Sequence, residues 1–157
     1  MDFKLMELKC REDLTSLKEQ HMALPLPSKI RFEFLTQLPR DDGCGLVVAQ
    51  MLTGRPYNEI AGLVEWGTQT DHYMSWDTVR DLLGKLDVIL GESRPAKSWP
   101  EIRSLAFVHV EPDHYILYDA DNGVFYDPGL PVGPDTQTSL VPIAYYPVRP
   151  PLAGTDS

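Results

Sequence analysis

The strongest constraint on the fold lies between residues 105 and 126. Three segments there are rich in aromatic and β-branched residues, which favour strands: 105–110, 114–118 and 124–126. The last two are separated by Asp121-Asn122-Gly123, a sequence typical of a tight hairpin turn. Strands joined by such short turns are antiparallel. With a further strand predicted over 139–148, the second half of the chain is expected to form an antiparallel sheet.

The first half of the chain has a helical pattern instead. The apolar run 44–52 stops at Gly54 and predicts a buried helix, and a second helix is predicted from Pro56 to near Gly67. Ser75 is placed to cap a third helix that contains residues 76–83. A short amphipathic helix within 1–22 and a short strand at 30–35 are also predicted. Helices and strands that segregate in this way indicate an α+β fold, with a helical N-terminal half packed on the sheet.

Composition narrows the class of protein. The 157 residues fit one domain, which we assign to 1–149, followed by a flexible tail at 150–157. The chain has 14 basic and 23 acidic residues, a formal net charge of −9, and no basic cluster. Phosphate backbones would repel such a surface, so nucleic acid is not expected as a partner.

The sequence has no continuous apolar run long enough to span a membrane and no secretory signal pattern. A cytoplasmic protein, or one exported by a route that needs no signal peptide, is therefore expected. Two cysteines, Cys10 and Cys44, are too few for a disulfide framework, and the histidines have too few companion ligands for zinc. We expect no metal and no cofactor. No sequence feature specifies an oligomeric state.

Cys44 is the most informative single residue. It follows a glycine-containing turn and begins an apolar helix, where backbone N–H groups and the helix dipole favour a thiolate. The glycines on either side, Gly43 and Gly45, leave room for a substrate backbone to approach the sulfur. The alternative is that Cys44 is a small buried core residue, which is common for free cysteines.

A cysteine nucleophile needs a base, normally a histidine distant in sequence. His114 is the preferred candidate, because it follows a turn and begins a strand, and Asp127 at the end of the next strand is placed to orient it. His109 lies within an apolar strand and is interpreted as a core histidine. His21 and His72 have no supporting context.

Several segments together resemble the C39-like cysteine peptidases, which have a papain-like fold. They occur in the family's order over about residues 37–128: Gly43-Cys44-Gly45-Leu46, Gln50-Met51-Leu52-Thr53-Gly54-Arg55-Pro56-Tyr57, Leu82-Leu83, His114-Tyr115-Ile116-Leu117-Tyr118-Asp119 and Val124-Phe125-Tyr126-Asp127-Pro128. The resemblance implies a nucleophile at Cys44, a general base at His114, an orienting Asp127 and a peptide or protein substrate.

The resemblance also implies an oxyanion-hole role for Gln37. The family's pattern has this glutamine six residues before the cysteine and an acidic or amide residue directly before it. Here Gln37 lies seven residues before Cys44, and Gly43 separates Asp42 from Cys44. A one-residue insertion in the turn would account for both shifts. The alternative is a surface glutamine in a turn with no role in the site.

Other functions remain open on the same residues. Gly43-Cys44-Gly45-Leu46-Val47 is also similar to the D-C-S-G-L-V segment of NlpC/P60 amidases, although the serine is absent. A glutamine deamidase with the same Cys-His-Asp triad is a further alternative. A binding module that keeps a papain-like fold without catalysis is the third. The sequence favours a peptidase, because Tyr126-Asp127-Pro128 fits the C39-like pattern better.

Overall fold

The structure, a computed structural model, describes residues 29–38 and 42–151. Its α-helices are α1 (Cys44–Thr53), α2 (Tyr57–Ala61) and α3 (Trp76–Lys85). A 3₁₀ turn, Trp99–Glu101, follows. The strands are β1 (Ile89–Leu90), β2 (Arg94–Pro95), β3 (Leu105–Val110), β4 (His114–Asp119), β5 (Val124–Tyr126) and β6 (Pro142–Arg149).

The strands form one antiparallel sheet. Its order is β1-β6-β3-β4-β5, and β2 pairs with β6 beside β1. The two long neighbours β3 and β4 pair from Leu105 opposite Asp119 to Val110 opposite His114. The described fold is therefore mixed helix and antiparallel sheet, and the predicted α+β class is confirmed.

Both faces of the central strands are buried, which explains why they are apolar at nearly every position. On one face, alternate residues such as Phe107 and Leu117 pack with α1 and α3 in the larger core. On the other face, residues such as Val108 and Ile116 pack with Trp99 of the 3₁₀ turn and with Ile102, which follows that turn. Strands β3, β4 and β5 thus form the middle layer between the two cores.

Local sequence signals explain where α3 begins, where α1 ends and where the hairpin turns. The Ser75 hydroxyl accepts a hydrogen bond from the Thr78 N–H (3.2 Å), so the predicted cap of α3 is confirmed. Helix α1 ends at Gly54, whose φ of 77° lies in the left-handed region that favours glycine. Gly123, with φ 68°, provides the same conformation in the β4–β5 turn, as its sequence predicts.

One predicted strand and two predicted boundaries are wrong. Residues 30–35 are not a strand, because the N–H groups of Arg31 and Phe32 point to the Tyr126 hydroxyl (3.1 and 3.4 Å) and not to a neighbouring strand. Helix α2 ends at Ala61 and not near Gly67, since the chain closes there with short-range turn bonds.

The last strand begins at Pro142 and not at 139. Before it, Leu140 donates its N–H to the nearby Thr138 hydroxyl (3.1 Å) and accepts the Trp99 indole N–H (2.9 Å). The helix predicted within 1–22, Cys10, His21 and the end of the tail at 152–157 lie outside the described residues.

Residues 29–38 lie along the β4–β5 hairpin and are held there by side chains. The Arg31 guanidinium binds the buried Asp119 carboxylate through two hydrogen bonds (2.8 and 3.1 Å). Further along, the Thr36 hydroxyl lies 3.1 Å from the Pro128 carbonyl and 2.6 Å from the Leu130 carbonyl. This segment therefore reaches the turn that follows β5, where the candidate site is located.

Candidate active site

His114 and Asp127 form a hydrogen-bonded pair at the end of the sheet. The imidazole Nε2 lies 2.7 Å from the Asp127 Oδ1, and the two side chains are 20% and 14% exposed. Both side chains are therefore largely buried but remain partly accessible to solvent. The structure thus brings together two residues that the sequence analysis selected as base and orienting acid.

The pair depends on the turn after β5. In the register of β4 and β5, Leu117 lies opposite Tyr126. If this register is continued past the end of β5, Gly129 is the residue opposite His114. Asp127 is therefore offset by two residues and is not the direct cross-strand neighbour of His114. The carboxylate reaches His114 because the Gly129 N–H donates to Asp127 Oδ1 (2.8 Å).

The position of Gly129 has little room for a side chain. A Cβ atom there would lie 3.2 Å from both His114 Nε2 and Asp127 Oδ1, closer than ordinary van der Waals contact. The absence of a side chain therefore leaves the space that the hydrogen-bonded pair occupies. The sequence analysis missed Gly129, although a glycine two residues after a candidate acid is a usable signal for a tight approach.

Cys44 is the first residue of α1 and follows the cap residue Gly43. It is buried, with 6% of its surface exposed. The start of α1 lies against the start of β4, since a Cβ on Gly45 would be 3.1 Å from the Tyr115 ring and 2.6 Å from the end of Met74. Gly45 thus allows the helix that carries Cys44 to approach the strand that begins at His114.

The electrostatic environment of His114 links all three residues. Burial alone lowers the pKa of the imidazole, but hydrogen bonding and electrostatic interaction with Asp127 and with Cys44 outweigh it. The net effect raises the pKa of His114 to about 9. These interactions favour the protonated form of the imidazole.

Gln37 is buried, with 8% of its surface exposed, so the alternative of a surface glutamine is wrong. Its backbone N–H donates to the Pro128 carbonyl (2.8 Å), which ties it to the residue after Asp127. Its side-chain Oε1 is buried and has no hydrogen-bond partner among the residues that the structure describes. A buried amide oxygen without a donor is costly, and only an N–H or O–H group could satisfy it.

The other two described histidines have their own partners. His109 is half-buried, and its Nε2 lies 2.9 Å from Asp113 Oδ1, so its ring is satisfied but does not lie fully in the core. His72 has its Nδ1 2.6 Å from the Tyr57 hydroxyl and stacks on Trp66 at 4.8 Å. Neither contact involves Cys44 or Asp127.

Asp113 and Tyr73 are further residues near the site that the sequence analysis did not select. Asp113 directly precedes His114, and the Tyr73 hydroxyl donates to Asp113 Oδ1 (2.9 Å). Asp113 could have been noted from its position beside the candidate base. Tyr73 comes from the loop before α3, some 40 residues earlier, and no local pattern signals its position.

The described residues 29–38 and 42–151 contain no group of three or more His, Cys, Asp or Glu side chains placed to hold a metal ion. Within the same residues, none of the helices is both long enough and apolar enough to cross a membrane. No family model, curated protein or solved structure matches the chain.

Proposed function

We propose that the protein is a papain-like cysteine peptidase of the C39-like kind, which cleaves a peptide or amide bond in a peptide or protein substrate. Cys44 is the nucleophile, His114 the general base and Asp127 the residue that orients it. The observation that carries the proposal is the His114–Asp127 hydrogen bond (2.7 Å). In addition, interactions with Asp127 and Cys44 outweigh the effect of burial and raise the pKa of His114 to about 9.

The proposed reaction begins with a thiolate at Cys44 and an imidazolium at His114. The sulfur attacks the substrate carbonyl, a C–S bond forms, and His114 gives its proton to the leaving amine as the C–N bond breaks. His114 then takes a proton from water, which attacks the thioester and releases the acid product and the free thiolate. Asp127 keeps Nε2 occupied, so the other nitrogen, Nδ1, is the one that exchanges protons.

The tetrahedral intermediate carries a negative oxygen that must be stabilised. Cys44 is the first residue of α1, so its own N–H has no partner within the helix, and we propose it as the first donor to that oxygen. Gln37 is proposed as the second donor through its side-chain amide. Its burial and its backbone bond to Pro128 hold it beside the turn that carries Asp127.

The test is the rate of alkylation of Cys44 by iodoacetamide as a function of pH, read by mass spectrometry. Cys10 in the same molecule provides an internal reference thiol. We expect Cys44 to react faster than Cys10 near neutral pH, because His114 stabilises its thiolate. Equal rates with the same pH dependence at both cysteines would contradict the proposal.

The assignment of the base is tested with a matched pair of variants. His114→Ala should abolish the rapid alkylation of Cys44, whereas His109→Ala should retain it, since the His109 ring bonds Asp113 and not Asp127. The reverse result would transfer the role of base to His109. Incubation with peptide-amide and glutamine substrates, with Cys44→Ala as control, then separates a peptidase from an amidase, a deamidase or an inactive binding module.

A further inference from the structure

A second group of polar side chains lies beside the proposed site and has no part in the triad. The Tyr73 hydroxyl and the His109 Nε2 both bond Asp113, each at 2.9 Å. Both contacts use the same oxygen, Oδ1. The second oxygen, Oδ2, is not engaged by either of them, and the Asp113 side chain is 55% exposed. The group therefore presents an exposed carboxylate that is held through one oxygen, while neither of these contacts uses the other oxygen.

This group borders the nucleophile and the base. Asp113 is the residue before His114, and the exposed Tyr73 ring stacks on Tyr115 at 6.2 Å with an interplanar angle of 16°. The Tyr115 ring in turn packs against Gly45, the residue after Cys44. A substrate whose scissile bond lies at Cys44 thus has one of its neighbouring side chains next to Tyr73 and Asp113.

The charge of the group is negative. Burial tends to raise the pKa of Asp113, but the hydrogen bonds from His109 and Tyr73 outweigh it and lower the pKa below its ordinary value. Tyr73 donates as a neutral hydroxyl and does not cancel this charge, whereas the imidazoles of His109 and His114 also lower the pKa of Asp113 and offset part of its charge when they are protonated. Within the described residues, no lysine or arginine pairs with Asp113, and the exposed Glu111 in the same turn adds a second negative charge.

Two aromatic rings lie near the groups that bond Asp113. Tyr73 is 38% exposed, and the half-buried Trp76 lies 5.8 Å from the His109 ring. The faces of such rings attract cations, and a carboxylate beside them adds a direct ionic partner. An apolar or acidic side chain would gain nothing from the carboxylate. A lysine or arginine side chain gains from both the rings and the charge.

We infer that Tyr73, Asp113 and His109 form a subsite for a lysine or arginine side chain of the substrate, close to the scissile bond. This inference rests on the proposed function, because it assigns a specificity to the same site. The Asp113 carboxylate pairs with the cationic group, and the Tyr73 ring packs against its aliphatic stem. The two bonds to Oδ1 hold the carboxylate in place before the substrate arrives.

The test uses peptidyl vinyl sulfones that modify Cys44 and differ only in carrying lysine or the neutral, similarly shaped norleucine at one position. The measured quantity is the ratio of the second-order inactivation rates for the two probes. At one probe position we expect lysine to be preferred about 5- to 20-fold, and Asp113→Asn should reduce this ratio to near 1. Asp121→Asn, an exposed carboxylate in the β4–β5 turn, is the matched control and should keep the ratio.

A second variant guards against misfolding. Tyr73→Phe keeps the ring but removes the bond to Asp113 Oδ1, so the lysine preference should fall part of the way. Equal rates for the two probes at every position, or a preference that survives Asp113→Asn, would overturn the subsite while leaving the proposed function standing. If Cys44 shows no rapid alkylation by iodoacetamide that depends on His114, the proposed function fails and the subsite falls with it.

Discussion

The imidazole Nε2 of His114 lies 2.7 Å from the Asp127 Oδ1, although the two residues are 13 positions apart and are not directly opposite in the strand register. The turn after β5 provides the difference, because the Gly129 N–H draws the carboxylate back towards the histidine. With Nε2 engaged in this way, Nδ1 is the ring nitrogen left for the sulfur of Cys44.

Asp127→Asn should lower the rate of Cys44-dependent turnover by about 10²- to 10⁴-fold, because the amide no longer stabilises the imidazolium. Substrate binding should change little. The measurement is kcat and KM on the same preparation as its melting temperature. A variant with normal kcat and only a lower melting temperature would mean that Asp127 merely shapes the turn.

His114 should titrate with a pKa of about 9, well above its ordinary value of 6.5. NMR of the imidazole protons measures this, and Cys44→Ala should lower the pKa because one of the two stabilising partners is lost. Since the folded pKa lies above the unfolded one, the stabilising effect is fully present below pH 6.5 and is lost as the pH rises through about 9. The free energy of unfolding should therefore fall over this range in the native sequence and much less in His114→Ala.

Gly129→Ala should reduce kcat/KM by about 10-fold or more, because the new methyl group would press on both His114 and Asp127. Gly84→Ala is the matched control. Gly84 lies within α3, and a Cβ there meets nothing within 4 Å, so this substitution should raise the free energy of unfolding by about 0.5–1 kcal/mol. Steady-state kinetics and urea unfolding of both variants make the comparison, and equal activity of the two would contradict the role assigned to Gly129.

Arg31→Met should destabilise the fold by about 1–3 kcal/mol, because it leaves the buried Asp119 carboxylate without its cation. Burial tends to raise the pKa of Asp119, but the bonds from Arg31 and Asn122 outweigh it and lower the pKa. Their stabilising effect should therefore be lost as the pH falls into the acid range. Urea unfolding of the native sequence and of Arg31→Met at pH 7 and at pH 3 checks both statements. If the free energies of unfolding of the two proteins differ by the same amount at both pH values, the role assigned to the Arg31–Asp119 pair is wrong.

The parts of the fold that could be predicted from sequence are those with strong local signals. The hairpin at Asp121-Asn122-Gly123 and the cap at Ser75 are both fixed by residues within a few positions of one another. The two-residue strands β1 and β2 were missed, since their pairing with β6 is set by a partner more than 40 residues away. Residues 30–35 alternate between apolar and polar side chains like a strand. Their backbone N–H groups at Arg31 and Phe32, however, point to the Tyr126 hydroxyl and not to the edge of the sheet.

The residues of the candidate site also fall into those that the sequence predicts and those that it does not. Cys44, His114 and Asp127 could be selected because each stands at the end of a recognisable helix or strand. The burial of Gln37 and the position of Tyr73 could not, because both depend on how distant segments pack against the sheet. The pairing of Asp119 with Arg31, 88 positions earlier, has no local signal either.

The order of assembly during folding follows from how the three proposed catalytic residues are distributed along the chain. His114 and Asp127 are joined by a short hairpin, whose closure is fast and entropically cheap. Cys44 must be brought from 70 positions away on a helix that docks against a sheet completed by its last strand, β6. A chain emerging from the ribosome thus exposes its thiol long before the histidine exists beside it. We expect the sulfur to acquire its reactivity only with the final long-range contacts, so that an unfinished chain carries no active nucleophile.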